Sequence, residues 1–330
     1  MAAPTAHGHA RKVGQFYSNV RQEGVDRRQT QRIIRMRNFN NFMKSILFNT
    51  YVKQGDTCLD LASGKGGDLN KWKIQRAQHV VFVDVAAESV EQSKERYENR
   101  HTKSFSASFH QADLTRASSD KWSPPLRDGI EFDCVSCQFA LHYCFESESQ
   151  CRQFIKNASE RIKIGGVFFG TTPWSEEIMR RYRHAKKVDK KEEFGNSVYK
   201  VAFTRGARDP PRIFGATYHF QLEEQVDVEE FLVFQPVFAD ICKEYGLELV
   251  MRKSFKEFFE ENREKNMDLL YRMDALETVT ENGPREARRG LTYAHAEDVC
   301  DNTTVQVGSL SRQEWECASL YVVFAFKKVR

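Results

Sequence analysis

The sequence predicts an α/β protein built on a doubly wound, mostly parallel sheet, and three observations carry that reading. From Asp56 onward, apolar runs of strand length alternate with stretches of helical period. The first of these strands runs into a small-residue turn, Ala62-Ser-Gly-Lys-Gly-Gly67, that opens a helix. The next two strands lead to aspartates, Asp84 and Asp113. Alternation of this kind buries a parallel sheet under helices on both faces.

Taken in order, residues 30–49 place apolar side chains at Ile33, Met36, Phe39, Met43, Ile46 and Leu47, a helical stripe, with Arg37, Asn40, Asn41 and Lys44 on the other face. Strands are expected at 57–62, 79–85, 105–111, 132–137 and 167–171, with helices at 69–77, 87–100 and 151–162, the last broken by Gly165-Gly166. Beyond the core the pattern changes. Short β-like runs at 198–203, 213–222 and 231–234 are separated by polar or Gly/Pro-rich stretches, which predicts an antiparallel insertion. Residues 254–276 read as helix, 278–301 as a mobile loop, and 319–326 as a closing strand.

A chain of 330 residues with 40% hydrophobic and 29% charged residues can bury a sizeable core and is too polar for a membrane protein. No apolar run approaches the roughly 18 residues of a spanning helix, and residues 1–12 lack the apolar stretch of a signal peptide, so an intracellular protein without membrane partners is expected. Eight scattered cysteines then imply reduced thiols. Cys134-x-x-Cys137 sits in an apolar strand run, where an offset of three points the two side chains to opposite faces, and no metal-spaced partners accompany it. No metal site is expected. The net charge of +4 is uneven: residues 1–75 carry 13 Lys or Arg against 5 Asp or Glu, a candidate polyanion contact or a solvated basic surface.

The turn after the first strand has the geometry that lets a nucleotide-like ligand approach backbone amides. Asp84 ends the next strand, where a carboxylate can accept both hydroxyls of a ribose, and Asp113 follows at the expected adenine position. Neither the dinucleotide spacing G-x-G-x-x-G nor the phosphate loop G-x-x-x-x-G-K-[ST] is met. A tight turn without ligand is the bland alternative; spacing alone favours S-adenosylmethionine (SAM).

Six blocks appear in one order: Arg37-Asn-Phe-Asn-Asn-Phe-Met-Lys44, Gly64-Lys-Gly-Gly-Asp-Leu-Asn-Lys-Trp72, Ser136-Cys-Gln-Phe-Ala-Leu-His-Tyr143, Phe168-Phe-Gly-Thr-Thr-Pro173, Asp227-Val-Glu-Glu-Phe-Leu-Val233 and Tyr321-Val-Val-Phe-Ala-Phe326. With these the chain closely resembles the eukaryotic mRNA cap guanine-N7 methyltransferases from about Phe16 onward. The resemblance implies a Rossmann-like SAM-dependent methyltransferase fold, with the SAM core at about 50–173, cap recognition and C-terminal strands at about 174–330, and a basic segment 1–29 whose order the sequence leaves open. It implies that SAM is held by Lys44, Ala62, Gly64, Asp84, Asp113, Gln138 and Tyr143, and the cap by Asn40, Asn41, Lys65, Lys71, Arg96, His142, Glu230 and Tyr321. Capped mRNA, a monomeric catalytic unit, an activating subunit or the capping machinery, and a nuclear location belong to the same implication.

One departure stands out: the family usually has glycine and cysteine where this chain has Ala62 and Ser63. If the backbone at residue 62 needs φ > 0, alanine costs on the order of 1 kcal/mol and its methyl crowds the cofactor. A cap- or RNA-binding protein that has lost catalysis is therefore the alternative, and a SAM enzyme for a small molecule or protein a third reading.

Methyl transfer to guanine N7 is an in-line displacement by a lone pair that is already free, so alignment and electrostatics suffice and no general base is needed. Glu230 has the chemistry to accept the N1 and N2 hydrogens of guanine together. Without the resemblance it reads as a surface glutamate, and His142, Tyr143 and Tyr321 as ordinary core residues. Lys65, Lys71 and Arg96 suit a triphosphate. The run Arg180-Arg-Tyr-Arg-His-Ala-Lys-Lys187 with Lys190-Lys191 is either an RNA guide or a solvated helix face.

Overall fold

In the computed structural model the described residues are 31–99, 104–204, 207–223, 225–300 and 305–330, together with Gly14. The basic segment 1–29 otherwise lies outside them. Helix α1 (Ile34–Tyr51) buries the expected stripe of Met36, Phe39, Met43, Ile46 and Leu47, while Asn40, Asn41 and Lys44 stay half-buried. Then come β1 (Thr57–Leu61), α2 (Leu69–Ile74), β2 (His79–Asp84), α3 (Ala87–Glu98), β3 (Ser106–Gln111), β4 (Phe132–Gln138), α4 (Glu148–Ser159), β5 (Ile162–Pro173) and α5 (Ser175–Val188). The insertion supplies β6 (Glu193–Gly195), β7 (Tyr199–Ala202), β8 (Thr217–Leu222) and β9 (Val226–Phe231). Helix α6 (Gln235–Glu244), β10 (Leu247–Ser254), α7 (Phe255–Asn262) and α8 (Met267–Arg272) follow, then β11 (Glu277–Thr280), β12 (Gly283–Pro284), α9 (Ala294–Cys300), β13 (Val307–Ser309), α10 (Arg312–Ala318) and β14 (Tyr321–Lys328).

The central sheet has the order β10-β14-β5-β4-β1-β2-β3. Strands β5, β4, β1, β2 and β3 pair in parallel, and β14 and β10 extend the β5 edge antiparallel. Strand alternation sends Cys137, Phe168 and Phe324 into one core and Cys134, Phe169 and Val323 into the other. This separates the CxxC side chains as the spacing predicts. All eight cysteines are buried free thiols. Burial of each large apolar side chain contributes about 1.5–3 kcal/mol, and both faces of the sheet are filled with phenylalanine. Among the described residues, no helix is long and apolar enough to cross a membrane.

The antiparallel insertion is present as a four-stranded sheet, β6-β7-β8-β9. Its last strand precedes the expected 231–234, because Val226–Phe231 alternates against β8 whereas 232–234 leads into α6. Gly165-Gly166 does not end a helix; both residues lie inside β5, where Gly165 takes φ 86° beside a register shift against β4. Residues 254–276 divide into α7, started by a Ser254–Glu257 capping box, and α8.

The largest correction concerns 278–301. The described part of the expected mobile loop, 278–300, is folded: β11, β12 and β13 form a small sheet, and α9 packs over it through Val279, Tyr293 and Ala296. Its anchor comes from helix α1, where the buried Arg35 guanidinium meets the buried Glu277 carboxylate at 3.0 Å and Glu286 at 3.2 Å. A partner some 240 residues distant leaves no local periodicity to read.

Candidate active site

Strand β1 lies between β2 and β4, so the chain winds outward from it in both directions. Ligands of open α/β sheets bind at this switch point, beyond the carboxyl ends of the strands. The β1–α2 turn occupies that position. Ser63 N donates to Val83 O at 3.0 Å, and Gly64 N donates to Asp84 Oδ2 at 2.8 Å. Asp84 Oδ1 accepts from Ala86 N at 2.9 Å. Burial raises the Asp84 carboxyl, and the Ala86 and Gly64 amides pull it back. A carboxylate offers about four lone-pair sites, so Asp84 retains acceptor capacity for a ribose hydroxyl.

The turn fits a nucleoside in a second way. A Cβ placed on Gly64 or Gly67 meets nothing within 4 Å, so open space lies over the backbone amides, whereas one on Gly66 would strike Leu69 and Ser93 at 2.7 Å. Ala62 has φ 52°, in the left-handed region. The condition attached to this position is therefore met, and the alanine carries about 1 kcal/mol of backbone strain that glycine would not.

Beneath the turn is a charge cluster. Asp68 Oδ1 receives Lys44 Nζ at 2.7 Å and Lys71 Nζ at 2.8 Å, and Lys71 Nζ also donates to Asn41 Oδ1 at 3.2 Å. Burial alone would raise the Asp68 carboxyl, but the two ammonium groups hold it well below the usual range. Deeper still, Asp60 accepts from Trp72 Nε1 at 2.9 Å; burial and then repulsion from Asp68 push its carboxyl up. Three residues named from the sequence, Asn41, Lys44 and Lys71, thus form one network with Asp68 that joins α1 to α2. Arg96 Nη1 donates to Lys65 O at 2.7 Å, which brings those two cations together on the other side of the turn.

The remaining residues gather at the tops of β4, β5, β9 and β14. Glu230, on β9, is 5% exposed; its Oε2 accepts from Tyr218 Oη at 2.6 Å across the β8–β9 pair. Burial first, and the neighbouring carboxylate second, keep the Tyr218 phenol protonated, so it serves as donor. His142 Nε2 lies 3.4 Å from Glu230 Oε1, and neither ring nitrogen of this buried histidine has a hydrogen-bond partner among the described residues. A buried imidazole so placed fits a missing polar ligand. The Tyr143 ring lies beside it, tilted by 46° with the ring centroids 4.1 Å apart. Tyr321, the first residue of β14, pairs in register with Pro173 and lies beside Tyr218 and Glu230 around a tight packing gap.

Two further expected ligands, like Lys44, Lys71 and Arg96, are engaged within the protein. The Gln138 amide donates to Ser136 Oγ at 3.0 Å and accepts from Thr171 Oγ1 at 3.2 Å. Asp113 Oδ1 accepts from Thr115 N and Oγ1 at 3.0 and 2.6 Å, shaping its own turn. The oxygen of Asn40 is buried without a partner among the described residues.

Three residues escaped the sequence reading. Tyr218 and Asp68 act through partners on other elements. Phe139 takes φ 56°, is tied by its amide to Thr171, and sets its ring edge-on to Tyr321 at 5.1 Å. Its place between Gln138 and His142 at a carboxyl strand end was the available signal. Asp56, Cys58 and Cys134, the group of possible metal ligands among the described residues, lies at the amino ends of β1 and β4, away from the crevice.

A model of the mRNA (guanine-N(7))-methyltransferase domain matches residues 1–329. The mRNA cap guanine-N(7) methyltransferase of Drosophila melanogaster is 38% identical over 348 aligned residues, covering all of this chain and 79% of the relative. That of Caenorhabditis briggsae is 37% identical, covering 97% and 87%. In fold, the chain is similar to one in the Haloferax volcanii complex built on the Trm112 methyltransferase activator, with TM-score 0.50 and 11% identity over 96% of this chain and 97% of the other. The chain belongs to the mRNA (guanine-N(7))-methyltransferase family.

Proposed function

We propose that this protein transfers the methyl group of SAM to N7 of the guanine that caps mRNA. The observation that carries the reading is the juxtaposition at one crevice of a nucleoside-shaped turn with Asp84 behind it, and a buried carboxylate, Glu230, held by Tyr218 beside the buried His142, whose ring nitrogens make no hydrogen bond among the described residues. Bound SAM supplies an electrophilic methyl on a sulfonium. The chain supplies position: Asp84, Gly64 and Lys44 hold the donor, and Glu230 accepts the two guanine hydrogens that adenine lacks. His142, Tyr143, Phe139 and Tyr321 wall the base and exclude water. Lys65, Lys71 and Arg96 face the triphosphate. No residue needs to remove a proton, since N7 carries a free lone pair.

A nuclear location, a monomeric catalytic unit and an activating protein subunit are part of the same reading. Incubation with radiolabelled SAM and GpppG-capped RNA tests it. Label at guanine N7 is expected; no transfer despite SAM binding would overturn the reading, and cap affinity without SAM affinity would instead favour a cap-binding protein, the alternative that the left-handed Ala62 raises.

A further inference from the structure

The cap reading leaves the basic run at 180–191 unused, and the structure divides it into two parts. Arg180 and Arg181 both pair with Glu177, Arg183 with Asp209 and Lys186 with Glu192. Tyr182, the aromatic residue inside the run, is fully buried and donates to Glu192, so it offers no stacking face. Lys190 is spent on the end of α5, donating to Lys187 O at 2.8 Å. What remains is exposed: His184 and Lys187, at helical spacing beside Arg180 and Arg183 on α5, and Lys191 just past the end of the helix; Lys187 and Lys191 have no ion pair among the described residues.

At the other end of the same helix stands Trp174. It follows Pro173, which lies at the same packing gap as Glu230, and its amide is fixed by Leu320 O at 2.7 Å. Trp72 and Trp122 are buried in the two cores and Trp315 packs on Phe39 and Phe259. The half-buried Trp174 joins none of the hydrophobic clusters among the described residues, and no aromatic ring faces it there. A half-buried indole outside the hydrophobic clusters, next in sequence to Pro173 and followed by a cationic helix edge, is the combination that single-stranded nucleic acid recognises: stacking for a base and charge for the backbone.

We infer that the first nucleotides of the transcript leave the cap site over Trp174 and run along the exposed edge of α5 to Lys187 and Lys191. The inference rests on the cap reading for its starting point. It assigns the transcript a sequence-tolerant path, since neither an indole face nor an ammonium reads base edges.

The test uses the full chain and two probes: the GpppG dinucleotide, and a GpppG-capped single strand of about 20 nucleotides, longer than the ~4–16 typical of one single-strand groove. Binding of labelled RNA is followed by fluorescence anisotropy across a salt series, and methylation of each probe is measured in parallel. Trp174→Ala should weaken RNA binding about fivefold or more, with Trp174→Phe restoring most of it. Lys187→Gln/Lys191→Gln should lower the slope of log affinity against log salt by about 1.4. Both variants should keep the KM for GpppG within about twofold. Wild-type affinity for RNA in both variants, or a wild-type protein that holds the capped RNA no more tightly than GpppG, would overturn the path and leave the cap reading intact. RNA binding that depends on these residues in a protein unable to methylate GpppG would overturn the cap reading instead.

Discussion

The two ends of the crevice are built differently. The cofactor end is made by neighbours in sequence: the 62–67 turn, Asp84 twenty residues beyond Gly64, and helix α2, which begins at once after the turn. The guanine end is assembled from β4, β5, β9 and β14, elements spread over nearly two hundred residues, and its key contact is a cross-strand pair between Tyr218 and Glu230. A local site is set by backbone geometry and tolerates little change in residue type. A distributed site is set by side-chain hydrogen bonds, which can be removed singly. Substitutions should therefore separate the two ends.

The largest effect is expected at Asp68, where the cofactor end is tied to α1. Asp68→Asn leaves Lys44 and Lys71 without their carboxylate in a mostly buried setting, and breaking such a pair typically costs about 3–5 kcal/mol. Urea unfolding should show that loss, and both ligands should bind weakly. The acid dependence carries a sign. The folded Asp68 carboxyl is held below its unfolded value of about 3.9, so its contribution is present above that pH and lost as pH falls below about 4. The variant should flatten that limb of the stability curve.

Tyr218→Phe should sharpen the contrast at the other end. It removes one hydrogen bond to a buried carboxylate, worth about 1.5–3 kcal/mol. The KM for GpppG should rise roughly tenfold or more by that measure, while SAM affinity stays within about twofold. If SAM affinity falls equally, the two ends are not separable.

The smallest effect, and opposite in sign, is expected at Ala62. Ala62→Gly relieves a left-handed alanine and should raise stability by about 1 kcal/mol or less, because glycine also gives the unfolded chain more freedom. Room gained over the turn should tighten SAM binding without altering cap affinity. Thermal unfolding with and without SAM reads both.

What the sequence disclosed follows the same division. The sheet core, the turn and Asp84 were legible because their signals are local: strand-length apolar runs, small residues at a βα junction and an acidic strand end. The left-handed backbone at Ala62 was foreseeable as a condition, because the family that the sequence resembles usually has glycine at that position. The Tyr218–Glu230 pair was not legible, because it depends on the register of β8 against β9. The Asp68 cluster needs Lys44 from a helix twenty-four residues earlier. Strand β10 lies at the sheet edge with mostly exposed side chains, so it shows little of the apolar pattern that marks strands. Residues 277–300 fold around an ion pair between Arg35 and Glu277 that no window of sequence contains.

The most direct measurement is a paired calorimetric titration of wild-type protein and Glu230→Gln with SAM and with GpppG. The glutamine turns an amide N–H toward hydrogens that the carboxylate accepts, so GpppG affinity should fall roughly ten- to hundredfold. SAM affinity should stay within about twofold, since Asp84, Gly64 and Lys44 are untouched. Wild-type affinity for GpppG in the variant, or an equal loss of both ligands, would contradict the assignment of Glu230 as the residue that selects guanine.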